Sequence, residues 1–156
     1  MSVSTMTSAR DGSLVARLDA IRAALGAFPQ SILELGMRVA VAAVFFKSGL
    51  TKIASWETTL SLFEEEYKLP ILPTEVAAVL GTAAELSAPV LLALGLFARL
   101  GAAALLGMTF VIQFLVYPAN WAEHLMWGSI LAWVLTRGPG AISIDRLIAR
   151  HLYGRD

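Results

Sequence analysis

The chain has 156 residues, of which 57% are apolar and 15% charged, and its mean hydropathy is +0.69; a typical soluble domain carries about 25% charged residues. Twelve basic and twelve acidic side chains cancel, which leaves no basic excess to meet nucleic-acid phosphates, and so apolar a chain does not stay solvated as a disordered one. With no cysteine, disulfides, thiolate nucleophiles, Cys-ligated zinc, iron–sulfur clusters and Cys-x-x-Cys redox chemistry are excluded, and the class that remains is a small integral membrane protein.

In residues 1–31, Leu14, Leu18, Ile21, Leu25 and Phe28 recur at spacings of four and three, one apolar face of a helix. That face either dips into the bilayer while Arg17 and Arg22 meet anionic head groups, or packs on the end of the bundle. The segment lacks the apolar core and small-residue cleavage site of a signal peptide. A helix needs about 20 mostly apolar residues to cross a bilayer. Four windows meet this, at residues 33–53, 76–97, 100–117 and 119–136. The third holds no charge. The fourth is short and begins with Trp121, Glu123 and His124, which predicts little tilt. Between the first two windows, Trp56, Leu60, Phe63 and Tyr67 predict a short helix lying on the outer surface and ended by Pro70 and Pro73. After the Gly138-Pro139-Gly140 turn, residues 143–152 read as a short amphipathic helix with Ser143 as N-cap. The expected fold is an all-α membrane protein: a four-transmembrane-helix bundle over residues 32–137, an amphipathic segment before it and a tail over 138–156.

Four spans put both termini and the Ala98-Arg99 turn on one side. That side holds Arg10, Arg17, Arg22, Arg99, Arg137, Arg146, Arg150 and Arg155, against Lys52 and Lys68 on the other. The positive-inside rule then places both termini in the cytoplasm.

Arg38, Lys47, Glu85 and His124 fall within the spans. A charge at the centre of a spanning helix costs about 2.5–3.5 kcal/mol on insertion scales, so these groups pair inside the bundle or snorkel to its surface. At 1.5 Å per residue, Lys47 and Glu85 lie about 9 and 14 Å below the outer surface and Arg38 about 22 Å. These depths point to a buried Arg38–Glu85–Lys47 cluster; snorkelling of both basic residues around a neutral Glu85 is the alternative. Pro89 displaces the carbonyl of Glu85 in the same turn, which shapes packing or opens a polar cavity. His124, with Trp127 beside it, could meet a quinone carbonyl or move a proton near the outer surface, or simply belong to the interfacial aromatic belt. The only other histidine, His151, is in the tail, so no metal-ligand set is present. No nucleophile triad, phosphate-binding glycine loop or dinucleotide fingerprint occurs.

The strings "RVAVAAVFFKSGLTKI", "LGTAAELSAPVLLALGLFARLGAAAL" and "GPGAISID", in this order over residues 36–145, resemble DoxX-type membrane proteins, with Ile144 where a leucine is more usual. The positions that carry the resemblance are Arg38, Gly49, Lys52, Glu85, Pro89, Arg99, Gly138, Gly140 and Asp145. The resemblance implies a four-helix bundle in a prokaryotic cytoplasmic membrane, with a link to quinone-coupled oxidation, including that of thiosulfate, and to redox-stress partners. The expected role is an accessory or quinone-interacting subunit of a membrane oxidoreductase system that relies on a redox protein partner for its electron carriers. A non-catalytic scaffold or a small-solute transporter is the other class. Small residues at Gly101, Ala102, Ala103, Ala104 and Gly107 fit a homo-oligomer contact or close packing within one chain.

Overall fold

The computed structural model describes residues 4–70 and 72–154, with side chains from residue 14 onward apart from 71 and 153. Two compact units are present, residues 1–30 and residues 31–156. The first is helix α1 (Ser4–Gly26). Leu14, Leu18, Ile21, Leu25 and Phe28 are all exposed within the chain, and Arg22 lies 3.8 Å from Asp19 one turn away.

The second unit is helical throughout its regular structure: α2 (Gln30–Ala54), α3 (Trp56–Leu62), α4 (Thr74–Leu94), α5 (Ala98–Val111), α6 (Trp121–Arg137) and α7 (Ile144–Tyr153). Both α3 and α5 run on into π-helical turns, Phe63–Tyr67 and Ile112–Val116. Two helices are long and apolar enough to cross a membrane, α4 and α5 with its π-turn. The core between α2, α4, α5 and α6 is built on Val41, Phe45, Leu92, Ala102, Leu105 and Leu131.

Helix α4 ends at Leu94, where Gly95 takes the left-handed conformation, three residues before the expected end of that window. Phe97 also has positive φ, and the Asp145 carboxylate receives its backbone N–H at 2.8 Å and that of Ala98 at 3.0 Å. A tail residue thus caps α5. Ser143 caps α7 by accepting from the Arg146 N–H at 3.3 Å. The tail is therefore bound into the bundle end. Gly101 explains the closeness of α4 and α5, because a Cβ there would stand 3.0 Å from the Ala88 carbonyl oxygen. Gly101 and Ala102 are buried in this intramolecular contact, whereas Ala103, Ala104 and Gly107 are exposed.

Helix α3 forms where the apolar spacing placed it, and its π-turn ends at a left-handed Lys68, ahead of Pro70. That turn packs back on α4: Phe63 is buried against Ala77 and Ala78. Gly81 makes room, since a Cβ there would meet the Phe63 ring at 3.1 Å.

Candidate functional site

Helix α2 presents one buried stripe, Arg38, Val41, Ala42, Phe45, Gly49 and Lys52, at spacings of three and four. Gly49 lets this stripe approach α4: a Cβ there would lie 2.9 Å from the Leu86 side chain and 3.1 Å from Glu85 Cβ. One turn further, Lys52 Nζ sits between the two carboxylate oxygens of Glu85, at 2.9 Å from Oε1 and 2.8 Å from Oε2. It also donates to Ser48 Oγ at 2.9 Å, and that hydroxyl donates to Glu85 at 3.2 Å. Both charged side chains are nearly fully buried. Ion pairing and the serine bridge offset the desolvation that would make either one untenable alone.

The expected Arg38–Glu85–Lys47 cluster is thus corrected in two of its members. Lys47 is exposed, because it lies two residues before Gly49 and so turns about 200° away from the buried stripe. Its depth matched Glu85 but its azimuth did not. Arg38 shares the stripe with Lys52, yet 14 residues separate them, about 21 Å of helix. Its guanidinium donates instead to the Leu92 carbonyl at 3.3 Å and to the Ile142 carbonyl, with Glu34 and Asp145 as the nearby carboxylates. Gly95 must lack a side chain here, because a Cβ would land on the Arg38 guanidinium and on Ser143. Arg38 is therefore a tie between α2, the end of α4 and the tail. Pro89 is buried in α4 one turn after Glu85, beside the close approach of Gly101 to Ala88.

His124 is buried at the start of α6, with its ring 5.1 Å from that of Trp127. Nδ1 lies 2.7 Å from Oε1 of Gln113, whose Nε2 donates to the Pro118 carbonyl at 2.9 Å. A carbonyl only accepts, so the amide nitrogen must face Pro118 and the amide oxygen must face the histidine. Nδ1 therefore carries a proton, and Nε2 is the ring nitrogen left for another partner. The chain leaves α geometry in the turn that carries Gln113, as π-helical segments at functional sites do.

The two π-turns pack on each other. Tyr67 and Tyr117 meet edge to face at 6.1 Å, and the Tyr117 hydroxyl donates to Glu66. Burial, and secondarily the Glu85 carboxylate, push the Tyr67 phenol above its ordinary value. Beneath this contact lies a cavity of about 430 Å³ whose walls are mostly apolar; Lys52, Glu85, Tyr67, His124 and Trp127 line it. The structure thus brings together Glu85, His124 and Trp127 and adds Lys52, Ser48 and Tyr67. Tyr117 and Gln113 escaped the sequence reading because a polar group in an apolar run gives no signal of its own, and Tyr67 was read only as part of the apolar spacing of a short helix. Lys52 carried such a signal, since its spacing from Phe45 and Gly49 continues the stripe.

Two helices long and apolar enough to cross a membrane, an all-helical core and a few polar groups gathered around one internal cavity fit a membrane protein of helical type. The chain belongs to the DoxX family, whose model matches residues 33–118. The match covers Lys52, Glu85 and Pro89 and stops before α6, so His124, Trp127 and the Gly138-to-Asp145 stretch lie outside it. No curated protein and no solved structure matches the chain.

Proposed function

We propose that this DoxX-family protein crosses a prokaryotic cytoplasmic membrane four times, with both termini in the cytoplasm, and that the cavity under α3 takes a quinone as part of a membrane oxidoreductase system. The carrying observation is the cavity itself. Its volume of about 430 Å³ falls in the range of small-molecule sites, roughly 300–1,000 Å³. Its apolar walls suit a ring and the start of an isoprenoid tail, and its polar groups sit at few points. Lys52 and Glu85 neutralise each other while Glu85 Oε2 is left, among the described residues, without a hydrogen-bond donor, and His124 keeps one ring nitrogen for a ligand. When bound, a quinone supplies the two-electron carrier. The chain's own part is to bind and orient the ring, exclude water and take up a proton from a quinol hydroxyl at His124 Nε2. With no cysteine, electrons must arrive from a redox protein partner.

Trp127 reports on the site. Titration of the purified protein in nanodiscs with a short-chain quinone is expected to quench tryptophan fluorescence saturably, and His124→Leu to weaken the binding. Absence of saturable quenching overturns the proposal. The buried Lys52–Glu85 pair favours one competing reading, passage of a small solute. Proteoliposome uptake that Glu85→Gln abolishes would establish it in place of the quinone reading.

A further inference from the structure

At the opposite end of the bundle from the Lys52–Glu85 pair, a second cavity of about 470 Å³ is lined by Arg99, Arg137, Arg146 and one carboxylate, Asp145, with Phe97 and Leu100 at its side. Asp145 is already committed, because its two oxygens accept the Phe97 and Ala98 N–H groups. Two of the arginines are held by neutral partners. Arg99 donates to the Thr136 carbonyl at 3.4 Å, and the Arg137 guanidinium lies 5.8 Å over the Trp133 ring. Among the described residues none of the three is in an ion pair. Three planar cationic forks around one hollow suit a phosphate, whose oxygens accept guanidinium N–H groups.

The surroundings decide which phosphate. The cavity lies at the hairpin joining α4 and α5, the two helices long and apolar enough to cross a membrane. Phe97 and Leu100, 60% and 68% exposed, stand beside the arginines. A free ion has no use for them, whereas the glycerol and first acyl carbons of a lipid do. We propose that this cavity is a binding site for the head group of an anionic glycerophospholipid. Basic pockets between spanning helices hold lipid head groups in this way. The site is independent of whether the other cavity takes a quinone.

The test titrates the detergent-solubilised full chain with dioleoylphosphatidylglycerol, dioleoylphosphatidylcholine and inorganic phosphate, and native mass spectrometry counts the bound lipid. Phosphatidylglycerol is expected to bind at least about tenfold more tightly than phosphatidylcholine, and Arg99→Gln or Arg137→Gln each to weaken it about tenfold, as for loss of a charge-assisted hydrogen bond. Arg150→Gln, on α7 outside the cavity, should leave it unchanged. Arg146→Gln provides the same test without disturbing an internal hydrogen bond, since that side chain is exposed. Equal binding of the two lipids overturns the proposal, as does an equal loss with Arg150→Gln. Displacement of the lipid by an equal concentration of inorganic phosphate assigns the site to the free ion and overturns it too.

Discussion

Glu85 and Lys52 are almost completely withdrawn from solvent, and each is tolerable there only through the other. Removing one partner of such a pair leaves a bare buried charge and costs about 3–5 kcal/mol. Glu85→Ala and Lys52→Ala are therefore each expected to destabilise the purified protein by that amount in detergent unfolding titrations. The double variant should lose clearly less than the sum of the two, because neither charge is then stranded. Lys47→Ala, on the exposed side of α2, should stay within about 0.5 kcal/mol of the parent. If Lys47→Ala rather than Lys52→Ala couples to Glu85, the assignment is wrong. The sequence shows why the partner is easy to mistake. Depth along a helix follows from counting residues, and by depth Lys47, about 9 Å down against about 1.5 Å for Lys52, is the nearer match to Glu85. The face follows only from the whole stripe, and Val41, Ala42, Phe45 and Gly49 lead to Lys52 and away from Lys47.

At the level of elements, the tail and its turn act as a clasp on the bundle end. Asp145 receives two backbone N–H groups at the start of α5, and its own N–H donates to the Gly95 carbonyl at 2.8 Å. Gly140 belongs to the same joint: it has positive φ, and a Cβ there would collide with Glu34 of α2. Loss of a side-chain cap costs about 0.5–2 kcal/mol, and a carboxylate near a helix N-terminus adds a favourable charge–dipole interaction. Asp145→Ala should accordingly lower the Tm in detergent, Asp145→Asn should lower it less, and an unchanged Tm in both would show that the clasp is not needed for stability. Ser143 was legible as a cap because the signal is local, a hydroxyl before an amphipathic run. That Asp145 caps a helix nearly fifty residues upstream was not, since tertiary contact alone sets the pairing. Helix α3 shows the same division. Its apolar spacing announced a helix, but its packing on α4 through Phe63 and Gly81 depends on a glycine that in sequence is one small residue among many.

For the molecule as a whole, element lengths bear on how many helices cross the membrane. A hydrocarbon core is about 30 Å thick. The 21 residues of α4 span about 32 Å and the 25 of α2 about 38 Å, whereas the 17 of α6 reach about 26 Å. Helix α6 is short by only a few ångströms, and it has Trp121 at one end and Arg137 at the other to extend its reach into the two interfaces. Helix α2 carries Arg38 and Lys52 inside, but both are enclosed by protein and bonded there. Neither helix has to leave the bilayer on these grounds, and under the proposed four-span arrangement the arginine excess near the two ends of the chain would face the cytoplasm. The natural chain has no cysteine, so single introduced cysteines read the topology without background. In cells of known membrane orientation, Ser61→Cys and Asn120→Cys, both at exposed positions, should react with a membrane-impermeant maleimide from outside. Ala20→Cys and Ala149→Cys should react only after the membrane is opened. Labelling of Asn120→Cys from the same side as Ala149→Cys would mean that α6 does not cross, and the four-span arrangement would then have to be abandoned.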